Sequence, residues 1–290
     1  MAAQSPPEAD MSLILTLVNT AGLDAAVETQ APALLRAGGA QVGETRRFGN
    51  ALDLHFTGPA PDLRSLPWPV DAALQPAAFR HKRLLVSDME STLVRNEFLD
   101  DLADRAGMGE AVSAITARAM NGEIDFAGSL RARLALLAGQ PVRLLEEAWE
   151  RLCWMPGARE LIRELAANGV RTVIVSGGFH FFADRVRELL GADACFANRL
   201  EIADGRLTGQ AQEPILDRES KQRILESEAK ALGIAREETL AVGDGANDLP
   251  MLRGAGLGVA YHAKPAVAAA VACRVQHSDL RALLAFAGIG

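Results

Sequence analysis

Apolar and polar positions follow one pattern up to about residue 78 and a different pattern from residue 79 onward. In the second part, short runs rich in leucine and β-branched residues alternate with amphipathic stretches of helical period, which is typical of a doubly wound parallel sheet. The pattern predicts strands at residues 84–86, 171–175, 239–242, 257–260 and 274–276. We therefore expect an α/β domain over residues 79–290.

Two segments interrupt this alternation. The first, at about residues 95–154, has helical period and is far longer than an ordinary connection between a strand and a helix. It predicts a helical cap inserted after the first core strand. The second, at residues 198–210, alternates around Asp204-Gly205 and predicts a β-hairpin, because an Asp-Gly pair favours a tight turn.

The part of the chain before residue 79 has a β-α-β-β pattern. Residues 13–18, 40–45 and 51–56 read as strands, residues 23–36 as a helix, and the proline-rich stretch 59–76 closes the unit. This pattern predicts a small α+β N-terminal domain at residues 11–78, which resembles the small-molecule-sensing ACT type. Residues 1–10 are predicted to be a disordered tail.

Composition and charge narrow the function classes. The chain has 290 residues, of which 49% are apolar and 23% charged, so it is long enough to bury a sizeable core. A net charge of −7 without a basic run predicts no nucleic-acid partner. The first apolar run is too short for a signal peptide or a membrane span, so we expect neither export nor a membrane partner. Three cysteines without C-x-x-C spacing predict reduced, buried thiols and a cytoplasmic location.

Three polar clusters directly follow three of the predicted core strands. They are DMEST at residues 88–92, SGG at 176–178 and GDGAND at 243–248. Ligands of open α/β sheets bind at the carboxyl ends of the strands, so we expect the three clusters to form one site. Taken singly, each has an ordinary interpretation, since aspartate caps helices and glycine eases turns. The five histidines show no metal-ligand spacing and are expected to be structural or to lie on the surface.

In their order and strand context, these clusters resemble the haloacid dehalogenase superfamily, most closely its phosphoserine phosphatases. The resemblance covers about residues 83–280, roughly two-thirds of the chain, and includes Lys221 and the cap. It implies a Rossmann-like core with an inserted helical cap. It also implies Mg²⁺-dependent hydrolysis of a small phosphomonoester, O-phosphoserine, to serine and phosphate. The reaction would pass through an aspartyl-phosphate intermediate and complete serine biosynthesis.

The resemblance assigns a role to each polar position. It makes Asp88 the nucleophile, Glu90 the general acid and base, and Lys221 the cation that balances the phosphoryl oxygens. Glu90 departs from the family, where aspartate is usual. Mg²⁺ would be held by Asp88, the backbone carbonyl of Glu90 and Asp244, with Asp248 orienting a ligand or water. Phosphate would contact Lys221, Ser176, Gly177 and Asn247, with the SGG cluster opening a helix at residues 179–190 whose N–H groups bind anions.

Four cap residues are implied to bind the rest of the substrate. Glu97 would hold the ammonium group and Arg133 the carboxylate, since arginine binds a carboxylate bidentately. Met120 and Phe126 would form an apolar wall that excludes water. Phe126 and Arg133 are seven positions apart and therefore lie on one helix face.

Two other functions fit the same residues. A phosphotransferase would pass the phosphoryl group from Asp88 to another hydroxyl group, such as that of homoserine. A non-catalytic regulator that senses an amino acid would keep the fold and lose the reaction. The presence of every charged catalytic position favours an enzyme.

Overall fold

The computed structural model describes residues 12–120 and 123–290, with only the backbone of Met120. The predicted tail at residues 1–10 and the Met120 side chain therefore lie outside the described residues. The strands are β1 (Leu13–Val18), β2 (Gln41–Phe48), β3 (Ala51–Thr57), β4 (Asp71–Pro76), β5 (Leu84–Ser87), β6 (Arg171–Phe179), β7 (Ala194–Asn198), β8 (Leu200–Ala203), β9 (Arg206–Ala211), β10 (Thr239–Gly243), β11 (Leu257–Tyr261) and β12 (Cys273–Val275).

Helices connect most of these strands. They are α1 (Ala25–Ala37), α2 (Phe98–Arg105), α3 (Gly109–Met120), α4 (Phe126–Ala135), α5 (Arg143–Trp149), α6 (Ala158–Ala167), α7 (His180–Leu190), α8 (Arg218–Leu232), α9 (Leu249–Gly254), α10 (Pro265–Ala270) and α11 (Ala282–Ala287). Within the described part of the chain, no helix has both the length and the apolar character that crossing a membrane requires.

Ten strands form one sheet in the order β2-β3-β1-β4-β12-β11-β10-β5-β6-β7. The strands from β12 to β7 are parallel, which confirms the predicted Rossmann-like α/β core. The strands from β2 to β4 are antiparallel. Strand β4 pairs with β12 at Ala72 and Arg274, so the sheet continues across the predicted domain boundary at residues 78–79.

The central strands are buried along their whole length because helices cover both faces of the sheet. Every residue of β5 and β10 is buried, as expected for a parallel sheet. Alternate residues point to opposite faces. Leu85 belongs to the core that contains Phe182 of α7, and its neighbour Val86 to the core that contains Leu225 of α8. The two layers hold the carboxyl ends of the strands in fixed positions.

Helices α2 to α5 form the predicted cap between β5 and β6, and the hairpin β8–β9 packs against it. The backbone N–H of Gly139 donates to Leu207 O at 2.8 Å, and that of Leu207 donates to Gln140 O at 2.9 Å. A Cβ atom at Gly209 would lie 2.8 Å from Ala138 Cβ, so only glycine permits this approach. The hairpin predicted around Asp204-Gly205 is confirmed, and it supports the cap.

Candidate active site

The three predicted polar clusters meet at one edge of the sheet. Asp88 follows β5, the SGG cluster lies near the end of β6, and Asp244 follows β10. These strands are neighbours in the order β10-β5-β6, and the backbone N–H of Asp88 donates to Val242 O at 3.0 Å. The expected convergence of the clusters at the carboxyl ends of the strands is therefore observed.

Lys221 joins two of the carboxylates. Its Nζ atom lies 2.5 Å from Asp88 Oδ1 and 2.6 Å from Asp248 Oδ1, and all three side chains are buried. Asp217 caps α8 by accepting a hydrogen bond from Ser220 N–H at 2.7 Å, which starts the helix so that Lys221 lies in its first turn. Lys221 shares the inward face of the helix with Leu225.

Three buried carboxylates lie around one buried cation, Lys221, and the exposed Lys264 adds only a long ion pair with Asp244, at 3.9 Å. Carboxylate oxygens of Asp88, Asp244 and Asp248 all lie within 4.8 Å of one another. Burial and the charge of Asp248 raise the pKa of Asp88 well above its usual range, and the same two causes raise the pKa of Asp244 to about 6. Burial alone would lower the pKa of Lys221, but the charges of Asp248 and Asp88 outweigh it and raise that pKa. The cluster thus carries an excess of buried negative charge, which is the environment that a divalent cation stabilises.

The three aspartates differ in how their oxygens are used. Both oxygens of Asp248 are occupied, because Oδ1 pairs with Lys221 and Oδ2 accepts from Gly245 N–H at 2.9 Å. Asp88 uses only Oδ1 among the described residues, and Asp244 Oδ1 accepts a long hydrogen bond of 3.5 Å from Thr92. Asp88 and Asp244 therefore have oxygens available for a metal ion or a phosphorus atom, whereas Asp248 is committed to orienting its neighbours.

Glu90 extends from the loop after β5 to the start of the cap. Its Oε1 atom accepts from Phe98 N–H, the first N–H of α2, at 2.8 Å, and its Oε2 atom accepts from the Ser176 hydroxyl at 3.4 Å. Burial and the nearby charge of Glu97 raise the pKa of Glu90 to about 8. The longer side chain thus reaches a helix N-terminus, and its surroundings favour the protonated form of the carboxyl group.

The SGG cluster lies at the junction of β6 and α7. Residues 176–178 belong to β6, which runs to Phe179, and α7 begins at His180 with Phe179 as its N-cap. The helix predicted at residues 179–190 is therefore present and begins one residue later than predicted. The strand runs to Phe179 because this residue pairs with Asn198 of β7, and the Gly178 N–H donates to Ser176 Oγ at 2.9 Å.

The cap brings Phe126 onto the SGG cluster. A Cβ atom at Gly177 would lie 3.0 Å from Phe126 Cζ, so the ring packs directly on the glycine. Arg133 lies further along α4, half-buried. Its Nε atom donates to Ser129 O at 3.4 Å, and burial lowers its pKa although Asp100, Glu90 and Glu97 oppose that effect. No carboxylate within the described ranges forms an ion pair with it, so this cation is available to an anionic ligand.

Two further predicted residues lie at the entrance. Glu97 is exposed at the start of α2, and its Oε1 atom accepts from the Ser91 hydroxyl at 2.7 Å. Asn247 lies in the turn that precedes α9, one residue before Asp248. Glu97 and Arg133 lie close enough to Glu90 for their charges to act on one another, while Met120 lies at the end of α3 without a described side chain.

A sequence model of the haloacid dehalogenase-like hydrolases matches residues 85–253. This chain belongs to that family. The matched segment starts in β5, ends in α9, and contains every residue of the aspartate and lysine cluster.

Related haloacid dehalogenase-like proteins cover different shares of the chain. A phosphoserine phosphatase of Archaeoglobus fulgidus is 49% identical over 197 residues, which are 67% of this chain and 57% of that protein. The chain thus spans little more than half of that relative's length. A solved HAD-family hydrolase of Salmonella enterica serovar Typhi is 31% identical with a TM-score of 0.81, covering 95% of this chain and 98% of the other.

A third similar protein is a structure described as a phospho-aspartyl intermediate analogue of phosphoserine phosphatase. It is 42% identical, with a TM-score of 0.67, and the match covers 72% of this chain and all of the other chain, 100%. The match thus extends over most of this chain and over the whole of that phosphoserine phosphatase structure.

Two residues near the candidate site received no individual role in the sequence analysis. Asn198 is buried at the end of β7 and contacts Gly177 through its amide group. Ser91 has a φ of 55°, a left-handed conformation that is uncommon for serine, and its hydroxyl group fixes Glu97. A single asparagine or serine after a strand is too common to indicate function. Only the folded chain shows which atoms they contact.

A second polar cluster contains one of the histidines and one of the cysteines. His180, Asp184 and Cys195 lie close enough to share a cation, although their spacing suggested none. His180 Nε2 accepts from Ala197 N–H at 3.3 Å, so Nδ1 carries the proton and donates to Asp184, and burial raises the pKa of Cys195 to about 12. The cluster is satisfied by its own hydrogen bonds. The cysteines are not uniformly buried as predicted, since Cys153 is exposed.

Proposed function

We propose that this chain hydrolyses O-phosphoserine to serine and phosphate through a phosphoryl group carried on Asp88. The observation that carries the proposal is the buried cluster in which Lys221 contacts both Asp88 and Asp248 beneath a cap that presents Arg133. The cluster suits the phosphorus end of the substrate, and Arg133 with Glu97 suits its amino-acid end. The name of the Archaeoglobus relative supports the same substrate.

The donor set fits Mg²⁺. The ion would be held by the carboxylates of Asp88 and Asp244 and by the backbone carbonyl of Glu90. Asp248 would not bind the ion directly and would orient a ligand or a water molecule. Hard oxygen donors and an excess of buried negative charge are the features that this ion requires. When bound, the ion would neutralise carboxylate charge and polarise a phosphate oxygen.

The reaction divides between Asp88 and Glu90. Asp88 attacks phosphorus, and one difficult displacement becomes two easier ones. Glu90, whose pKa is raised to about 8, donates its proton to the departing serine oxygen and then, as a carboxylate, removes a proton from the attacking water. Lys221 balances the charge of the phosphoryl oxygens, with Ser176, Gly177 and Asn247 as further phosphate contacts.

The cap would select the amino acid. Arg133, without an ion-pair partner in the described part of the chain, would bind the carboxylate, and Glu97 would bind the ammonium group. Phe126 on Gly177 would exclude water from the reacting centre. Met120, whose side chain lies outside the described residues, is retained as a second member of this apolar wall.

The physiological setting follows from the same substrate. We place the reaction in the cytoplasm as the last step of serine biosynthesis, with a small molecule as substrate and neither nucleic acid nor membrane as a partner. The division into a small ACT-like domain at residues 11–78 and a phosphatase domain at 79–290 belongs to this proposal.

Phosphate release from a panel of phosphomonoesters tests the proposal. Purified protein with Mg²⁺ should release phosphate from O-phospho-L-serine faster than from O-phospho-L-threonine or p-nitrophenyl phosphate, and chelation by EDTA should abolish release. Homoserine is added in parallel, and appearance of phosphohomoserine would identify a phosphotransferase instead. Folded protein that binds phosphoserine without releasing phosphate would identify a regulator.

A further inference from the structure

The buried side chain of Asn198 joins two segments of the site. It is 2% exposed at the end of β7, beside the part of β6 that carries the SGG cluster. Its Nδ2 atom donates to Gly177 O at 2.8 Å, and its Oδ1 atom accepts from Leu216 N–H at 2.7 Å. The amide group therefore uses both its donor and its acceptor on backbone atoms.

The first of these bonds fixes a peptide plane. The carbonyl of Gly177 and the N–H of Gly178 belong to the same planar peptide unit. Asn198 holds the carbonyl end, and the N–H end donates to Ser176 Oγ at 2.9 Å. Because this bond occupies an acceptor position on the Ser176 oxygen, the Ser176 proton is left to donate towards Glu90 Oε2, 3.4 Å away. Asn198 thus orients Ser176 through one peptide.

The second bond reaches the lysine side of the site. Between Asn198 and Leu216 the chain leaves the sheet, forms the hairpin that supports the cap, and returns. Leu216 lies two residues before Arg218, where α8 begins, and α8 carries Lys221 in its first turn. One buried amide therefore links the SGG cluster to the segment that leads into the lysine helix.

We propose that Asn198 is a positioning residue for the phosphate of the substrate, holding Ser176 and Gly177 in register with Lys221. It acts through the Gly177–Gly178 peptide and does not itself touch the substrate. The proposal rests on the proposed phosphatase function, because the groups that it positions are the proposed phosphate contacts. Loss of the Asn198 bond should weaken binding of any phosphate, whatever its leaving group.

Asn198→Asp is the sharpest test. It keeps the shape and the acceptor for Leu216 N–H, but it replaces the donor to Gly177 O with an oxygen that repels the carbonyl. Leaving such a buried group unpaired should raise the inhibition constants of inorganic phosphate and orthovanadate about 10- to 100-fold. KM should rise for phosphoserine and p-nitrophenyl phosphate to a similar extent. If the substitution instead impaired only the binding of the amino-acid end of the substrate, KM would rise for phosphoserine alone.

Asn168→Asp is the matched control. Asn168 also donates its side-chain amide to a backbone carbonyl, Glu164 O at 2.8 Å, but it lies at the exposed end of α6. This variant should lose some thermal stability and keep its phosphate inhibition constant. Asn198→Ala removes both bonds without adding a charge, and it gives the same comparison if Asn198→Asp does not fold.

Calorimetric titration with phosphate in the presence of Mg²⁺ separates the two proposals, because it needs no turnover. Wild-type protein that binds phosphate, with weaker binding by Asn198 variants that are still folded at the temperature of the titration, is the expected result. Equal binding by the wild type and a folded Asn198 variant would overturn the positioning role and leave the proposed function intact. Wild-type protein that binds no phosphate would overturn both.

Discussion

Two buried groups of charges lie in the same continuous sheet, and they are built differently. In the N-terminal part, Arg80 contacts both oxygens of Asp53, with Nε–Oδ2 at 2.9 Å and Nη2–Oδ1 at 3.0 Å. Thr16 donates to Asp53 Oδ1 at 2.6 Å, and the remaining Arg80 N–H groups donate to Phe286 O at 3.1 Å and Ala285 O at 2.6 Å. One positive and one negative charge are balanced, and each is fully hydrogen-bonded.

The group at the carboxyl ends of β5 and β10 has no such balance. Lys221 pairs with Asp88 and Asp248, whereas the third aspartate, Asp244, has only a long ion pair with the exposed Lys264, at 3.9 Å. Burial raises the pKa values of Asp88 and Asp244. A balanced buried pair needs nothing further, whereas an excess of one charge is tolerated only if a ligand completes it. The comparison teaches that the balance of buried charge, rather than burial itself, distinguishes a structural cluster from a functional one in this molecule.

The largest expected effect comes from Asp88→Asn. Without its nucleophile, the chain should lose phosphoserine turnover by about 10⁴-fold or more. Its thermal unfolding temperature should stay constant or rise, because one charge leaves a repulsive cluster. Phosphate release and calorimetry measure the two quantities. Lower stability together with near-normal turnover would reverse the assignment of this cluster as functional.

For the balanced pair of Asp53 and Arg80, we expect the opposite result, a loss of stability without a loss of turnover. Asp53→Asn leaves Arg80 buried without a counter-charge and should reduce the free energy of unfolding by about 3–5 kcal/mol. Turnover by the folded protein at low temperature should remain at the wild-type level. In the matched double variant, Asp53→Leu with Arg80→Met, both charges are absent and most of the stability should return. A loss of turnover without a loss of stability would show that this pair is not purely structural.

Glu90→Gln tests whether the reaction needs a protonated acid at this position in the site. The change preserves size and the contact with Phe98 N–H, but it removes proton transfer, so phosphoserine turnover should fall by about 10²- to 10⁴-fold. With p-nitrophenyl phosphate, whose leaving group needs no acid, phosphorylated protein should accumulate and be visible by mass spectrometry. Glu90→Asp should keep activity within about an order of magnitude. Full activity of Glu90→Gln would place the acid elsewhere.

The smallest expected effect concerns Arg133. This cation has no described ion-pair partner, so its surroundings carry an unbalanced positive charge, in contrast to the negative charge of the aspartate cluster. Arg133→Ala should weaken kcat/KM for phosphoserine by about 2 to 4 kcal/mol, since one charge-assisted contact is lost. The value for p-nitrophenyl phosphate, which has no carboxylate, should change far less. An equal loss of kcat/KM for both substrates would show that Arg133 acts in folding or in the chemical step rather than in recognition of the amino acid.

Local patterns in the sequence were sufficient for five of the six parallel core strands, the cap, the hairpin and the three polar clusters, whereas β7 was not predicted. Each depends on neighbours within a few positions: apolar runs for buried strands, helical period for the cap, and Asp204-Gly205 for the turn. The convergence of Asp88 with Asp244 followed as well, because the carboxyl ends of parallel strands meet at one edge. The family resemblance then supplied Lys221 and the cap residues.

Contacts between distant positions were decided only by the tertiary structure. Arg80 reaches Phe286 across 206 positions, and Asn198 reaches Gly177 across 21. The N-terminal strands join the core through β4 and β12, and the SGG cluster stays in β6 because β7 lies beside it. The period of apolar residues in the sequence indicates which face of a helix or strand is apolar. It does not specify which other helix or strand will cover that face. For that reason the sequence revealed the chemistry of the site, and only the folded chain revealed what holds it in place.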